Sequence, residues 1–504
     1  MPDLAWFLQS SALPVVTRPA VIGIMLAYFV ATAAIGTWAA RRTRTVKDFF
    51  VAGQSLGVVT MGVAAMAATL SGFTFIGGPG LIYAIGLAAI FINLPLSITT
   101  AMGGWVLAKR LRLLSEVRPM LTIPDAIGAR YRSPAAQGLA GLAILIAIVG
   151  YLATNLLALG FVLDAVFGCG LVTGIWIGTA FTLAYSIAGG ILAGVYTDLF
   201  QGTVMALASV LVFVLIWRVG GGMTGLTTTI VAGDPAFLSP WGKVTPLAAM
   251  SFFFVFGIGT LGQPHVVHKF YMLRDPMRLK WYPLVMTVAM SVTLLLMFGV
   301  GLMAKAMVLR GDMPPLLRPD DATPQVLLRL APVALAGVVF AGVAAAIMST
   351  VNAFMSIGAA AIAHDIPKAL GAGMRRPLLW GRVGMAVLSI LGALLAQQSR
   401  TLVAFLGIFG WGLFASTLVP ALAIGLNWKG ATRAGALASM VTGIVVTLGL
   451  ETLAYRGIFT FPAGVTATAL ALVSSLLVFF AVSLVTRRSA AADLDTDVAV
   501  VMDA

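Results

Sequence analysis

The sequence predicts an all-α polytopic membrane protein of about thirteen transmembrane helices, with two five-helix repeats of inverted orientation at its centre, the N-terminus outside and the C-terminus in the cytoplasm. Three observations carry this. The 504 residues are 60% hydrophobic and only 10% charged, with a mean hydropathy of +1.03. Apolar runs of about 18 or more residues recur from end to end, which marks membrane-crossing helices. Two of these runs, five apart in order, are interrupted by glycine and proline, as the broken helices of repeat-built membrane proteins are.

The runs fall at 19–40, 56–81, 87–108, 139–163, 171–188, 201–217, 247–267, 281–304, 331–362, 378–395, 402–426, 434–450 and 465–484. Their odd number puts the termini on opposite sides of the bilayer. No clean small-residue cleavage site follows the first run, so it reads as a retained helix and not a signal peptide. Residues 1–55 form an N-terminal extra helix with its loop, 56–220 and 244–427 the two repeats, and 428–488 two further helices. The polar tail 489–504 is expected to be disordered. Cys169 is the only cysteine, which excludes a disulfide framework and a thiolate metal site.

Lysine and arginine set the orientation. Of the 31 basic residues, 22 follow odd-numbered runs, clustered at 41–47, 109–132, 269–280, 368–382, 429–433 and 487–488. That asymmetry marks the cytoplasmic face. The net charge of +14 is therefore topological and calls for no nucleic acid. Acidic residues are few. Asp198 stands out because it sits at or just inside the start of the run 201–217. Two readings stand for it: an ionisable functional group in a membrane, or a cap on a helix N-terminus.

The run 56–81 holds Ser71-Gly72 and Gly77-Gly78-Pro79-Gly80, and the run 247–267 holds Gly257, Gly259, Gly262 and Pro264. Proline lacks an N–H and glycine weakens the helical ladder. Unwound backbone at membrane depth is tolerated only where it is buried or lines a cavity, and its carbonyls can hold a cation. Glycines that merely let helices pack closely are the alternative. Deep in the run 331–362, the hydroxyls of Ser349 and Thr350 follow the small residues Ala344-Ala345-Ala346. Hydroxyls are hard ligands suited to a cation such as Na⁺. They serve equally as bonds back to a carbonyl one turn earlier or as glue between helices.

The chain resembles the sodium:solute symporter family, in its bacterial branch of proline-type symporters. The matching residues are Phe49-Phe50-Val51-Ala52-Gly53-Gln54-Ser55-Leu56, Ser71-Gly72 with 78–83, Ile123-Pro124-Asp125, and Gly189-Gly190 with Thr197-Asp198 and Gln201. They continue with Gly262-Gln263-Pro264-His265, 345–350 with His364-Asp365, and Pro420 with Trp428-Lys429. The resemblance runs from about residue 49 to 433. It implies the inverted-repeat fold of the leucine-type amino-acid transporters, Na⁺ as coupling ion, a small organic solute as cargo, and the inner membrane of a bacterium. One copy of the chain is expected to suffice for transport.

Carried over residue by residue, the resemblance implies a Na⁺ site made of the Ser349 and Thr350 hydroxyls with the carbonyls of Ala346, Ala67 and Leu70. Asp198 would lie on the ion's inward path. Members with a second Na⁺ site carry a further hydroxyl where this chain has Ala346, so one Na⁺ per cycle is expected. The solute site would use Phe73, Tyr151, Phe256 and Thr260, bordered by Thr69, Ser71 and Gly72 at the first break and shaped by Gln263 and Pro264 at the second. Tyr151 has a competing role as an interfacial anchor, but its mid-run position leaves a hydroxyl that needs a partner. Thr69 stands where proline-type members carry an acid, and Phe256 where they carry a tryptophan. His265 and His268, three apart, lack the carboxylate or cysteine that would complete a metal set. His364-Asp365 reads as a helix-end pair on the cytoplasmic side.

The expected function is Na⁺-coupled uptake of an amino acid such as proline, or of a monocarboxylate, by alternating access. A proton-coupled or uncoupled carrier of the same fold is the first alternative. A transporter-like sensor is the second, and such proteins usually append a soluble domain, whereas about twenty residues follow the last run here. No nucleophile–base pair lies in a run, so an enzyme is not expected.

Overall fold

A computed structural model describes residues 19–503, except 44, 373–375, 400–402, 459–460, 462–463 and 491–493. Arg44 and Arg375 of the basic clusters, the start of the run at 402, and parts of the N-terminal segment and tail lie outside these. Among the described residues the regular elements are helical, with one isolated parallel bridge joining Leu56 and Leu273. Among the described residues ten helices are long and apolar enough to cross a membrane, or eleven with the bent pair Pro246–Gly262 and Pro264–Met272. The expected thirteen segments differ from this count where helices are short or fused. Val58–Thr69 and Leu171–Ile187 are shorter apolar helices, and Phe73–Val117 runs on through the expected gap between the second and third segments.

Gly190 decides one boundary. Its φ of 55° and ψ of −146° kink the chain between Leu171–Ile187 and Gly190–Val219, a backbone region open to glycine and costly for other residues. The helix after the kink therefore starts at Gly190, not Gln201, and Asp198 lies within it. That removes the reading of Asp198 as a helix N-cap.

The helices sort into two packing groups. Ile90–Gly103 packs on Pro246–Gly259 and on Tyr282–Arg310, whereas Pro134–Phe167 packs on Val333–Ala360, Pro377–Gln398 and Val403–Leu418. Most of Pro134–Phe167, Val333–Ala369 and Val403–Ile424 is buried by other helices, while Pro19–Ala40 and Arg433–Ala454 are largely exposed. An apolar helix buried all round belongs to the interior, so the two glycine- and proline-bearing segments converge on a protein-lined centre.

The tail departs from its expectation of disorder. Thr496–Asp503 is helical, with Val498, Val501 and Met502 buried. Their spacing gives one apolar stripe, and the carboxylates beside it meet basic residues of the neighbouring loops.

Candidate ion and solute sites

The first break lies at Leu70. Val58–Thr69 is regular helix, Leu70 turns to an extended ψ of 103°, and a wide turn over Phe73–Gly77 leads into Gly78–Ile85 with Pro79 at its start. Ser349 and Thr350 are fully buried and face that break. The Ser349 hydroxyl lies 2.7 Å from the Ala67 carbonyl oxygen and 2.9 Å from that of Ala346. Thr350 Oγ1 lies 3.1 Å from the Ala68 oxygen and 3.0 Å from that of Ala346. Each hydroxyl has one proton, so it serves one carbonyl at a time and keeps lone pairs able to accept or coordinate. Three carbonyl and two hydroxyl oxygens thus gather between two helices. Leu70 is where the helix ends, but the hydroxyl contacts fall on Ala67 and Ala68. Ala68 was missing from the expected set, since sequence reveals a break more readily than the direction of each carbonyl.

The other expected positions divide by what their polar atoms already hold. Thr69 Oγ1 bonds back to Ala65 O at 2.7 Å, so its hydroxyl proton is already engaged within its own helix. Thr260 Oγ1 bonds back to Phe256 O at 2.8 Å and meets Thr99 at 3.3 Å. Asn155, which the sequence reading passed over, accepts from the Gly72 amide at 2.9 Å and anchors the first break. An asparagine inside the apolar run 139–163 was the available signal. Ser71 Oγ accepts from the Phe73 amide at 3.2 Å.

Beside the break the rings stack. Phe73 and Phe256 have centroids 5.6 Å apart at 25°, and Phe256 and Trp411 5.3 Å apart at 22°. Buried Tyr151 lies against Gly410, 4.6 Å from the Phe354 ring and 6.1 Å from the His265 ring. Gln263 marks the second break, with φ −78° and ψ 106°, and Pro264 opens the next helix after a 41° bend. Gln263 Nε2 donates to Gly259 O and Trp411 O, each at 3.0 Å. Gln263 Oε1, Trp411 Nε1 and both His265 ring nitrogens make no hydrogen bond to a described residue. Buried polar atoms are normally paired, so these atoms between aromatic rings retain unused hydrogen-bonding capacity. Phe73, Tyr151, Phe256 and Gln263 come together here in one cluster, joined by Trp411 and His265, which the sequence does not single out for it.

Asp198 is buried and pairs with the buried Lys269 at 2.8 Å. Lys269, one of the basic cluster 269–280, is thus a buried partner and not a solvated loop charge. Nearby, Gln201 donates to the Tyr28 hydroxyl at 2.9 Å, and Tyr28 and Tyr185 both reach Met348, the residue before Ser349. His265 and His268 do not share a site: His268 Nε2 meets Leu121 O at 2.8 Å while His265 sits among rings. His364 and Asp365 instead grip the helix Ile123–Tyr131. His364 lies 2.9 Å and Lys368 2.6 Å from Asp125, and Thr122 donates to Asp365 at 2.5 Å. Burial alone would raise the Asp125 carboxyl, but His364, Lys368 and the Leu121 amide hold it well below the usual carboxylate range.

Outside the membrane segments, the turn Pro319–Asp321 lies across the second half of the broken helix. A Cβ on Gly80 would meet the Pro319 oxygen at 2.7 Å, which requires glycine there. Asp320 is buried and accepts from the Val403 amide at 2.9 Å. Burial pushes its carboxyl from 3.8 up to about 7. A carboxyl with a raised folded-state pKa lends stability that is complete below its unfolded pKa and lost as pH climbs through the folded one. Melting in detergent is therefore expected to occur at lower temperature at about pH 8 than at about pH 5, and Asp320→Asn should flatten that difference. Identical pH slopes for the two proteins would rule this out.

The comparisons with known proteins agree with this geometry. The sodium:solute symporter family description matches residues 49–443. The osmoregulated proline transporter OpuE of Bacillus subtilis (strain 168) is 27% identical over 489 residues, covering 92% of this chain and 94% of its own. The sodium/pantothenate symporter of Escherichia coli (strain K12) is 27% identical over 442 residues, covering 85% and 90%. The structure of a Na⁺-coupled sialic acid symporter, substrate-bound and outward-open, superposes with a TM-score of 0.77 at 18% identity, covering 92% of this chain and 98% of its own. MhsT in complex with L-phenylalanine superposes at 0.51 with 12% identity, covering 84% and 98%. Those two structures establish the fold, which is of the leucine-transporter type. With the family description matching most of its length, the chain belongs to the sodium:solute symporter family and is a sodium-coupled membrane transporter, not an enzyme.

Proposed function

We propose that this chain takes up a small monocarboxylate or amino acid, proline being the first to test, across the inner membrane of a bacterium. One Na⁺ drives each cycle by alternating access about Ser349 and Thr350. The observation that carries the reading is the convergence of those two buried hydroxyls on the carbonyls of Ala67, Ala68 and Ala346. Five neutral oxygens suit Na⁺ and, bearing no formal charge, release it readily. The ion ties the broken helix to the Ser-Thr helix, so its departure frees the two to separate. Asp198 and Lys269 stand on the inward route. Phe73, Tyr151, Phe256 and Trp411 cover the solute's apolar part, while Trp411 Nε1 and a His265 N–H offer donors to its carboxylate. Thirteen crossings, with the N-terminus outside, put the basic clusters in the cytoplasm. A single copy holds both sites.

Uptake of labelled proline and of short monocarboxylates into proteoliposomes tests this, with an inward Na⁺ gradient against an equal K⁺ gradient at fixed pH. Uptake that follows pH and ignores Na⁺ would point to the proton-coupled carrier instead. Tyr151→Ala is expected to raise the half-saturating solute concentration about tenfold, from the lost ring contact and the cavity left behind. Its Na⁺ affinity without solute should stay unchanged. An unaltered solute affinity would return Tyr151 to packing alone.

A further inference from the structure

We infer that the C-terminal segment 494–503 is a latch across the basic face, holding together the two packing groups that must shift during transport. The inference rests on the transport reading above. Arg118 grips two carboxylates of this segment, with Nη2 2.7 Å from Asp495 and Nε 2.7 Å from Asp497. Arg110 donates to the Met502 carbonyl at 3.2 Å. Both arginines lie on or just after Lys109–Val117, the extension of the helix that packs on Pro246–Gly259 and Tyr282–Arg310. The same segment also holds the other group. Arg132 Nε lies 3.1 Å from Asp495 at the entry to Pro134–Phe167, and Lys429 lies 2.7 Å from Asp503 just beyond Val403–Ile424. Val498, Val501 and Met502 are buried beneath these bonds.

A segment bonded to both groups must let go of one when they separate. Its ion pairs are partly exposed, with 28–37% of the Asp495, Asp497 and Arg118 side chains accessible. Such pairs are individually weak and weaken further with ionic strength. The segment therefore acts as a brake that dissolved salt loosens.

The test compares the full chain with Asp495→Asn/Asp497→Asn in proteoliposomes. At low ionic strength the variant should take up labelled proline, or the short monocarboxylate that the uptake screen above selects, roughly two- to tenfold faster. Adding choline chloride at fixed Na⁺ and osmolality should speed the unmodified chain and leave the variant unchanged. A lock gives the converse: in a Cys169→Ala background, oxidised Arg118→Cys/Asp497→Cys should slow uptake and a reductant should restore it. A readout without solute, amide exchange over 109–118 in detergent, should quicken in the carboxamide variant. Uptake equal in variant and unmodified chain at both ionic strengths overturns the latch, as does unchanged exchange. No uptake by the unmodified chain, with exchange quickened as described, overturns the transport reading instead.

Discussion

Replacing Ser349 and Thr350 together with alanine is expected to raise the Na⁺ concentration that half-activates uptake by about two orders of magnitude. Each hydroxyl offers one neutral oxygen to the ion, and hydrogen-bond-scale contacts to a charge are worth about 1.5–3 kcal/mol. Losing two of five ligands therefore costs on the order of 3 kcal/mol or more, or about a hundredfold in affinity. The fold should suffer less, because the partners of these hydroxyls are carbonyls on helical backbone and the cavity left is small. Two measurements separate the effects: protein recovered in the membrane, and the Na⁺ dependence of a thermal-shift titration without solute. An unchanged Na⁺ midpoint would mean that the hydroxyls only join two helices, as serine and threonine in membrane helices often do.

The second large effect is at Asp198. Asp198→Asn leaves Lys269 charged, buried and without its partner at 2.8 Å. Removing one member of a buried pair typically costs about 3–5 kcal/mol, mostly from the charge left behind. A sharp fall in folded protein and in turnover is expected from the single change. Pairing it with Lys269→Met removes the stranded charge, and replacing both partners is often nearly neutral for stability. If the carboxylate serves only the fold, the double variant should recover abundance and transport together. If it lies on the ion's path, abundance returns but turnover stays about tenfold or more below the unmodified rate, while solute affinity is kept. Initial uptake rates normalised to protein distinguish the two outcomes.

Both predictions depend on one arrangement. The Ser-Thr helix carries the hydroxyls, and Met348 just before them receives the Tyr28 and Tyr185 contacts that adjoin Gln201 on the Asp198 helix. The ion site and the buried pair therefore share neighbours, so their substitutions should not add independently.

Composition and pattern alone determined the membrane class, the helical fold, the two breaks and the presence of hydroxyls in a buried helix. These are local properties. Lipid demands long apolar helices whose backbone groups are satisfied within the segment, and Gly-Pro clusters interrupt a helix wherever they stand. The resemblance added the pairing of Ser349 and Thr350 with the first break. Tertiary structure decided what meets across space: Ala68 beneath Thr350, Asn155 on the Gly72 amide, Trp411 closing the aromatic stack, Lys269 on Asp198, and the tail helix on Arg118. Each of those pairs residues tens to hundreds of positions apart, and only the packing angles of the helices bring them together. A helix's sequence fixes its spacing along one axis but not which neighbour it faces.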